Sequence, residues 1–193
     1  MQTIEEITRE IINDKENEKW TKEGYEPLFY APKTAKILII GQAPGIKAME
    51  SRIFFNDKSG VNLRKWLGVD DELFYNSGLI GVLPMDFYYP GKAKTGDLPP
   101  RKDFAPKWHN QILKNMPNIK LIILVGSYAQ KYYLGKEMEK TLTETVKNYE
   151  KYLPKYFPVV HPSPLNTIWR KKNPWFEENV LPVLKEKVKE GLR

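Results

Sequence analysis

The sequence predicts an α/β protein: three α/β/α layers built around a four-stranded parallel sheet. Two observations carry that expectation. The apolar runs Ile37–Ile40 (ILII) and Leu121–Val125 (LIILV) contain no polar alternation, so they suit strands buried on both faces. Segments with helical apolar spacing lie between the strand candidates, and that alternation implies parallel pairing with a helical layer on each face. A chain of 193 residues with no internal repeat or low-complexity tract suits one domain, here taken as residues 1–193.

The elements follow in chain order. From Thr3 to Lys19, the residues Ile4, Ile7, Ile11 and Ile12 recur at helical spacing and predict an amphipathic helix. The aromatic, proline-bearing stretch Trp20–Lys33 is expected to pack along the domain edge, so residues 1–33 form an N-terminal helix and edge segment. The strand Ile37–Ile40 stops at Gly41 and enters a loop with Pro44 and Gly45. Such a loop puts backbone groups at the carboxyl edge of the sheet, where open α/β folds bind ligands. Leu63–Leu67 predicts a short helix closed by Gly68, and Leu79–Leu83 a strand ending at Pro84. The long stretch Pro84–Pro106 is either a surface excursion or a binding loop, and its tyrosines, lysines and Arg101 favour binding. Trp108–Met116 predicts a helix, Leu121–Val125 the third strand and Tyr128–Leu134 a helix. Tyr156–Val160 reads as the fourth strand, running straight into His161. Pro174–Val188 closes the series as a helix with Phe176, Val180, Leu184 and Val188 on one stripe.

Composition removes several function classes. The chain has no cysteine, which excludes disulfides, thiolate zinc sites, iron–sulfur clusters and cysteine nucleophiles. With only His109 and His161, a His-rich metal site is not expected, and neither a metal nor an organic cofactor is called for. His109, beside Trp108 in a helical stretch, is read as structural. No apolar run reaches bilayer length and the N-terminal stretch is polar and acidic, so a cytoplasmic protein without a membrane partner is expected. The net charge of +7 suits a polyanionic partner, although many solvated surfaces are as basic. There is no G-x-S-x-G, P-loop or dinucleotide fingerprint.

Two strand-end loops stand out, GQAPG at Gly41–Gly45 and HPSPLN at His161–Asn166. In this order, each after a buried strand, they resemble the uracil-DNA glycosylase superfamily over about Lys36 to Leu184. Phe55, ahead of Gly60, matches the spacing of that superfamily's base-stacking phenylalanine. GDLPPR (Gly96–Arg101) and NPWFE (Asn173–Glu177) are similar to its compact bacterial members without an iron–sulfur cluster. The resemblance implies a glycosylase-like fold, a monomer, and DNA containing uracil or another damaged base as partner.

It also implies roles for particular residues. His161 would stabilise the leaving base anion, and Gln42 with the loop Gly41, Ala43, Pro44 and Gly45 would place the attacking water. Phe55 would stack on the flipped base, with Asp86 as the polar side chain in the region that reads the base edge. Leu165 would fill the vacated stack. Ser163, Pro164 and Asn166, with Arg170 and Lys171 just beyond, would contact DNA. Each has a plainer alternative. His161 could be satisfied by backbone, Phe55 could join Phe54 and Ile53 in the core, Leu165 could be an ordinary loop hydrophobe, and Arg170-Lys171-Lys172 could be solvated surface. Three departures bear on activity. Alanine stands at position 43, where the best-known members carry a water-activating aspartate. The four cluster cysteines of other branches are absent, and no asparagine follows the second strand. A member that binds DNA or a nucleotide without cutting it is therefore the rival expectation.

Overall fold

The computed structural model of the protein describes residues 2–193. Thr3 opens helix α1 (Ile4–Asn13) with a reciprocal cap, its hydroxyl accepting from Glu6 N–H at 3.2 Å while the Glu6 carboxylate accepts from Thr3 N–H at 2.8 Å. The single helix expected up to Lys19 is broken at Asp14. The Asp14 carboxylate caps a 3₁₀ turn, Lys15–Asn17, before the short helix α2 (Glu18–Lys22). The buried Asn17 amide donates to the Ile11 carbonyl at 2.7 Å, satisfying an acceptor that a continuous helix would have used.

Strand β1 (Ile37–Ile40) is followed by α3 (Ile46–Ser51), α4 (Lys58–Leu67), α5 (Asp71–Tyr75) and strand β2 (Ile80–Val82). Next come α6 (Phe104–Leu113), β3 (Leu121–Val125), α7 (Ser127–Leu134), α8 (Leu142–Lys147) and β4 (Tyr156–Val159). The chain closes with α9 (Thr167–Lys172), a π-helical turn at Phe176–Val180, and α10 (Leu181–Leu192). Helix α4 starts well before Leu63 because the Asp57 carboxylate caps it, accepting from Gly60 N–H at 2.9 Å. Helix α6 starts before Trp108 because Pro106 sits in its first turn, where no N–H is needed.

The four strands form one parallel sheet in the order β2-β1-β3-β4, with Ile37 opposite Ile80 and Leu121, and Ile122 opposite Tyr156. Side chains alternate across it. Leu38, Ile40, Ile122 and Leu124 face a core that includes Ile7 and Ile11 of α1, Trp108 and Ile112 of α6, and Leu134 of α7. Ile37, Ile39, Ile123 and Val125 face the opposite core, with Leu63 and Trp66 of α4, Phe74 of α5, Val146 of α8 and Leu184 of α10. Three layers result, as the alternation of elements predicts. No helix among the described residues is long and apolar enough to cross a membrane.

The Pro84–Pro106 stretch is not the free binding loop that its composition suggests. Phe87 and Tyr88 are buried, and Asp86 is fully inaccessible. Arg101 returns to Asp86 with Nε at 2.7 Å from one carboxylate oxygen and Nη2 at 2.8 Å from the other. The backbone N–H groups of Tyr88 and Arg101 also donate to that carboxylate, at 3.1 and 3.2 Å. The guanidinium lies 4.3 Å from the Trp20 ring and 4.6 Å from Phe104, and it donates to the Asn17 side chain at 2.7 Å. Only the segment around Gly91–Leu98 projects, as a small hairpin closed by Ala93 N–H to Gly96 O at 3.0 Å and Leu98 N–H to Gly91 O at 2.8 Å. Arg101→Ala leaves Asp86 buried without its charge partner, a change expected to cost roughly 3–5 kcal/mol in urea unfolding. A loss below about 1 kcal/mol, the scale of an exposed pair, would contradict that role.

Candidate functional site

The two loops singled out in the sequence meet at the carboxyl edge of the sheet. The Gly41–Gly45 loop leaves β1, and parallel-type bonding continues beneath it. Met85 N–H donates to Gly41 O at 2.9 Å, and Asp86 N–H to Gln42 O at 3.2 Å. Gly45 then starts α3. His161 follows β4, and its own loop is tied down at both ends. The Asn166 amide donates to His161 O at 2.7 Å, and the Asn62 amide of α4 donates to Pro162 O at 2.8 Å.

Between them lies a cavity of about 390 Å³, lined by Gly41, Gln42, Ala43, Pro44, Gly45, Phe55, His161 and Ser163 among others. Gln42 and His161 also line a second cavity of about 200 Å³, completed by Gly126, Ser127, Tyr128 and Asn166. The pair thus forms the partition between the two.

The Phe55 ring is held in place by its backbone. Phe55 has φ of 54°, left-handed for a residue with a Cβ, and its carbonyl accepts from Arg64 Nη1 and the Tyr75 hydroxyl, each at 3.1 Å. That carbonyl lies where a side chain at position 60 would go, since a Cβ on Gly60 would stand 1.6 Å from it. The ring reaches over Gly41, where a Cβ would lie 3.6 Å from Phe55 Cζ, and meets Phe74 edge-on at a centroid distance of 6.3 Å. Phe54 instead packs into the aromatic cluster with Tyr30, Phe74 and Tyr75, while Ile53 is 42% exposed and so is not core.

His161 is electronically defined. Ser163 N–H donates to its Nδ1 at 3.2 Å, so the proton of the neutral ring belongs on Nε2. Nε2 has no hydrogen-bond partner among the described residues, leaving it free as a donor. Burial holds the imidazole below its usual pKa, and the Asp57 carboxylate opposes that shift, so the ring is neutral at pH 7.

Beyond His161, the Ser163 hydroxyl accepts from Leu165 N–H at 3.1 Å and caps a 3₁₀ turn, Pro164–Asn166. Leu165 is 87% exposed at its tip, and Ile168, one turn further on, is 69% exposed. Single apolar side chains this exposed, on a loop with two prolines, are not core residues. Lys171 is exposed beside them.

Three expected site residues are engaged elsewhere. Asp86 does not line the cavity, because its carboxylate is consumed by Arg101 and two backbone amides. Arg170 is not a free cation. It bonds Glu177 at 3.1 Å and the Thr167 hydroxyl at 3.2 Å and lies over Trp66, bracing α9 against the π-helical turn. Asn166 points back to the His161 carbonyl rather than outward. Conversely, the cavity wall includes Asp57 and Asp97, to which the sequence analysis gives no role. The second cavity could have been anticipated, because Gly126-Ser127 also follows a buried strand. Among the described residues, no group of three or more His, Cys, Asp or Glu side chains could hold a metal ion.

His109 is a second neutral imidazole with a different job. Its Nε2–H donates to Pro84 O at 2.8 Å and its Nδ1 accepts from the Tyr133 hydroxyl at 2.6 Å, clipping the end of β2 to α6 and α7.

A parallel α/β protein with a concave site built from strand-end loops, one of them bearing both a histidine donor and an exposed apolar tip, is the class that emerges. The sequence model of the uracil DNA glycosylase superfamily matches residues 27–185. The chain belongs to that superfamily, and a DNA-glycosylase-like function with a hydrolytic kind of reaction comes with membership.

Burial lowers the His109 pKa to about 4. Because both histidines protonate more easily unfolded than folded, their contribution to stability is complete above pH 6.5 and is lost as pH falls. His109 alone is expected to remove about 3 kcal/mol between pH 7 and pH 4. The check is an NMR titration of the two imidazoles alongside urea midpoints, and a His109 titration near 6.5 would contradict it. Gly60→Ala is expected to lose roughly 1–3 kcal/mol, since the added methyl displaces the Phe55 carbonyl. Unchanged thermal stability would count against that contact.

Proposed function

We propose that the protein hydrolyses the N-glycosidic bond of uracil, or of a related damaged base, in DNA, as a step in base-excision repair. The observation that carries this reading is a neutral His161 with its proton on Nε2, lining one cavity together with Phe55 and Gln42. Chemistry on a base in duplex DNA requires extruding the nucleotide, at a cost of a few kcal/mol. In the proposal Phe55 stacks on the extruded base, and Leu165 enters the vacated stack to hold that state. Ser163 and Lys171 contact phosphates, which fix register without reading sequence.

As the C1′–N bond breaks, negative charge collects on the base, and His161 Nε2–H donates to the oxygen where it develops. Gln42 and the backbone of Gly41–Gly45 position the water. Ala43 has no ionisable side chain, so a general base does not act from that position. Asn166 acts through the His161 carbonyl, as a positioning residue. The side chain at position 43 also favours one alternative, a member that binds DNA or a nucleotide without cutting it.

Excision from labelled duplexes carrying U·G and U·A pairs tests the reading. His161→Ala is expected to slow single-turnover release by about 10²–10³-fold with duplex affinity little changed. Loss of affinity in step with rate would remove the role given to His161. Salt-sensitive binding without any base release would favour the non-cleaving alternative.

A further inference from the structure

With Asp86 taken by Arg101, no group assigned so far meets the edge of an extruded base that faces away from the sugar. The first turn of α4 supplies one. Ser59, Leu63 and Trp66 share one stripe of that helix, and Leu63 and Trp66 are core residues. Ser59 heads the stripe, where the core gives way to the larger cavity that it helps to line.

Ser59 is only 9% exposed, yet its hydroxyl has no hydrogen-bond partner among the described residues. Its backbone N–H is unpaired as well. Asp57 takes the next two amides, Gly60 N–H on its carboxylate at 2.9 Å and Val61 N–H on its carbonyl at 3.0 Å. Two donors shielded from bulk water and open to a cavity suit an acceptor that arrives with the ligand.

The surroundings narrow the choice of acceptor. A Cβ at Gly60 would stand 1.6 Å from the Phe55 carbonyl, so this turn packs directly on the residue that carries the stacking ring. Asn62, one turn further, donates to Pro162 O at 2.8 Å and ties α4 to the histidine loop. Ser59 is thereby fixed relative to both Phe55 and that loop. A helix N-terminus favours an electronegative oxygen, while the Asp57 carboxylate at the same end opposes a second full negative charge. A neutral carbonyl meets both conditions and a phosphate does not.

We propose that Ser59 reads the base, its hydroxyl and N–H donating to the carbonyl oxygen on the edge remote from the sugar. This rests on the glycosylase reading and adds a substrate class to it, bases with a carbonyl on that far edge. A backbone N–H only donates, so an exocyclic amine in that place, as in cytosine, sets donor against donor.

Ser59→Ala removes the hydroxyl and little else. Single-turnover excision is compared for wild type and Ser59→Ala on duplexes carrying uracil, and on duplexes in which sulfur, a weak acceptor, replaces the far oxygen. The expected result is uracil release slowed about 10-fold in the variant, with release of the thio base changed less than about twofold. The thermal midpoint is expected to stay level or rise. Equal losses on both bases, or no loss on uracil, overturn the proposal and leave the glycosylase reading standing. A lowered thermal midpoint also overturns it, because the hydroxyl would then have a partner inside the protein. A wild type that releases neither base overturns both.

Discussion

The Asp86–Arg101 pair is the constraint on which the site end of the molecule depends. A charge pair taken out of water is costly unless every lone pair finds a donor. Here the carboxylate receives two guanidinium bonds and two backbone N–H bonds, and the guanidinium lies against Trp20 and Phe104. The pair fixes three segments at once: the chain leaving β2, the return of the long loop, and the turn after α1 through Asn17. Asp86 also supports the ligand loop directly, since its N–H holds the Gln42 carbonyl. That loop is thus anchored from outside the cavity.

The sheet was legible in the sequence because burial on both faces leaves a mark that needs no context. Ile37–Ile40 and Leu121–Val125 are uninterrupted apolar runs, and their bounds match β1 and β3. Helices shorter than two turns leave no such mark. Those at Ile46–Ser51, Asp71–Tyr75, Leu142–Lys147 and Thr167–Lys172 are too short for periodicity to declare itself. The break at Asp14 was hidden for another reason. Isoleucines continue the helical pattern to Ile12, while the break is made by a buried Asn17 amide that the pattern cannot anticipate.

For the site, the glycine–proline loop and the histidine loop could be read because each follows a buried strand. Residues whose meaning is set by a distant partner could not. Asp86 looks like a polar group offered to a ligand until Arg101, far along the chain, is seen to occupy it. Arg170 looks like a phosphate contact until Glu177 and Trp66 claim it. Asp57 was overlooked for the opposite reason. A carboxylate ahead of a helix has an ordinary explanation as a cap, and only the fold brings that residue to the cavity wall.

The Ser163 amide on His161 Nδ1 has a further consequence. A ring held at Nδ1 in this way donates from Nε2 but does not relay, since Nδ1 has no proton to pass on. On the glycosylase reading, the base therefore departs as an anion and collects its proton afterwards. The intrinsic acidity of the leaving group then becomes a selectivity filter that no side chain has to supply. Bases that carry negative charge well are released, and those that must be protonated first stay attached, whatever the shape of the cavity.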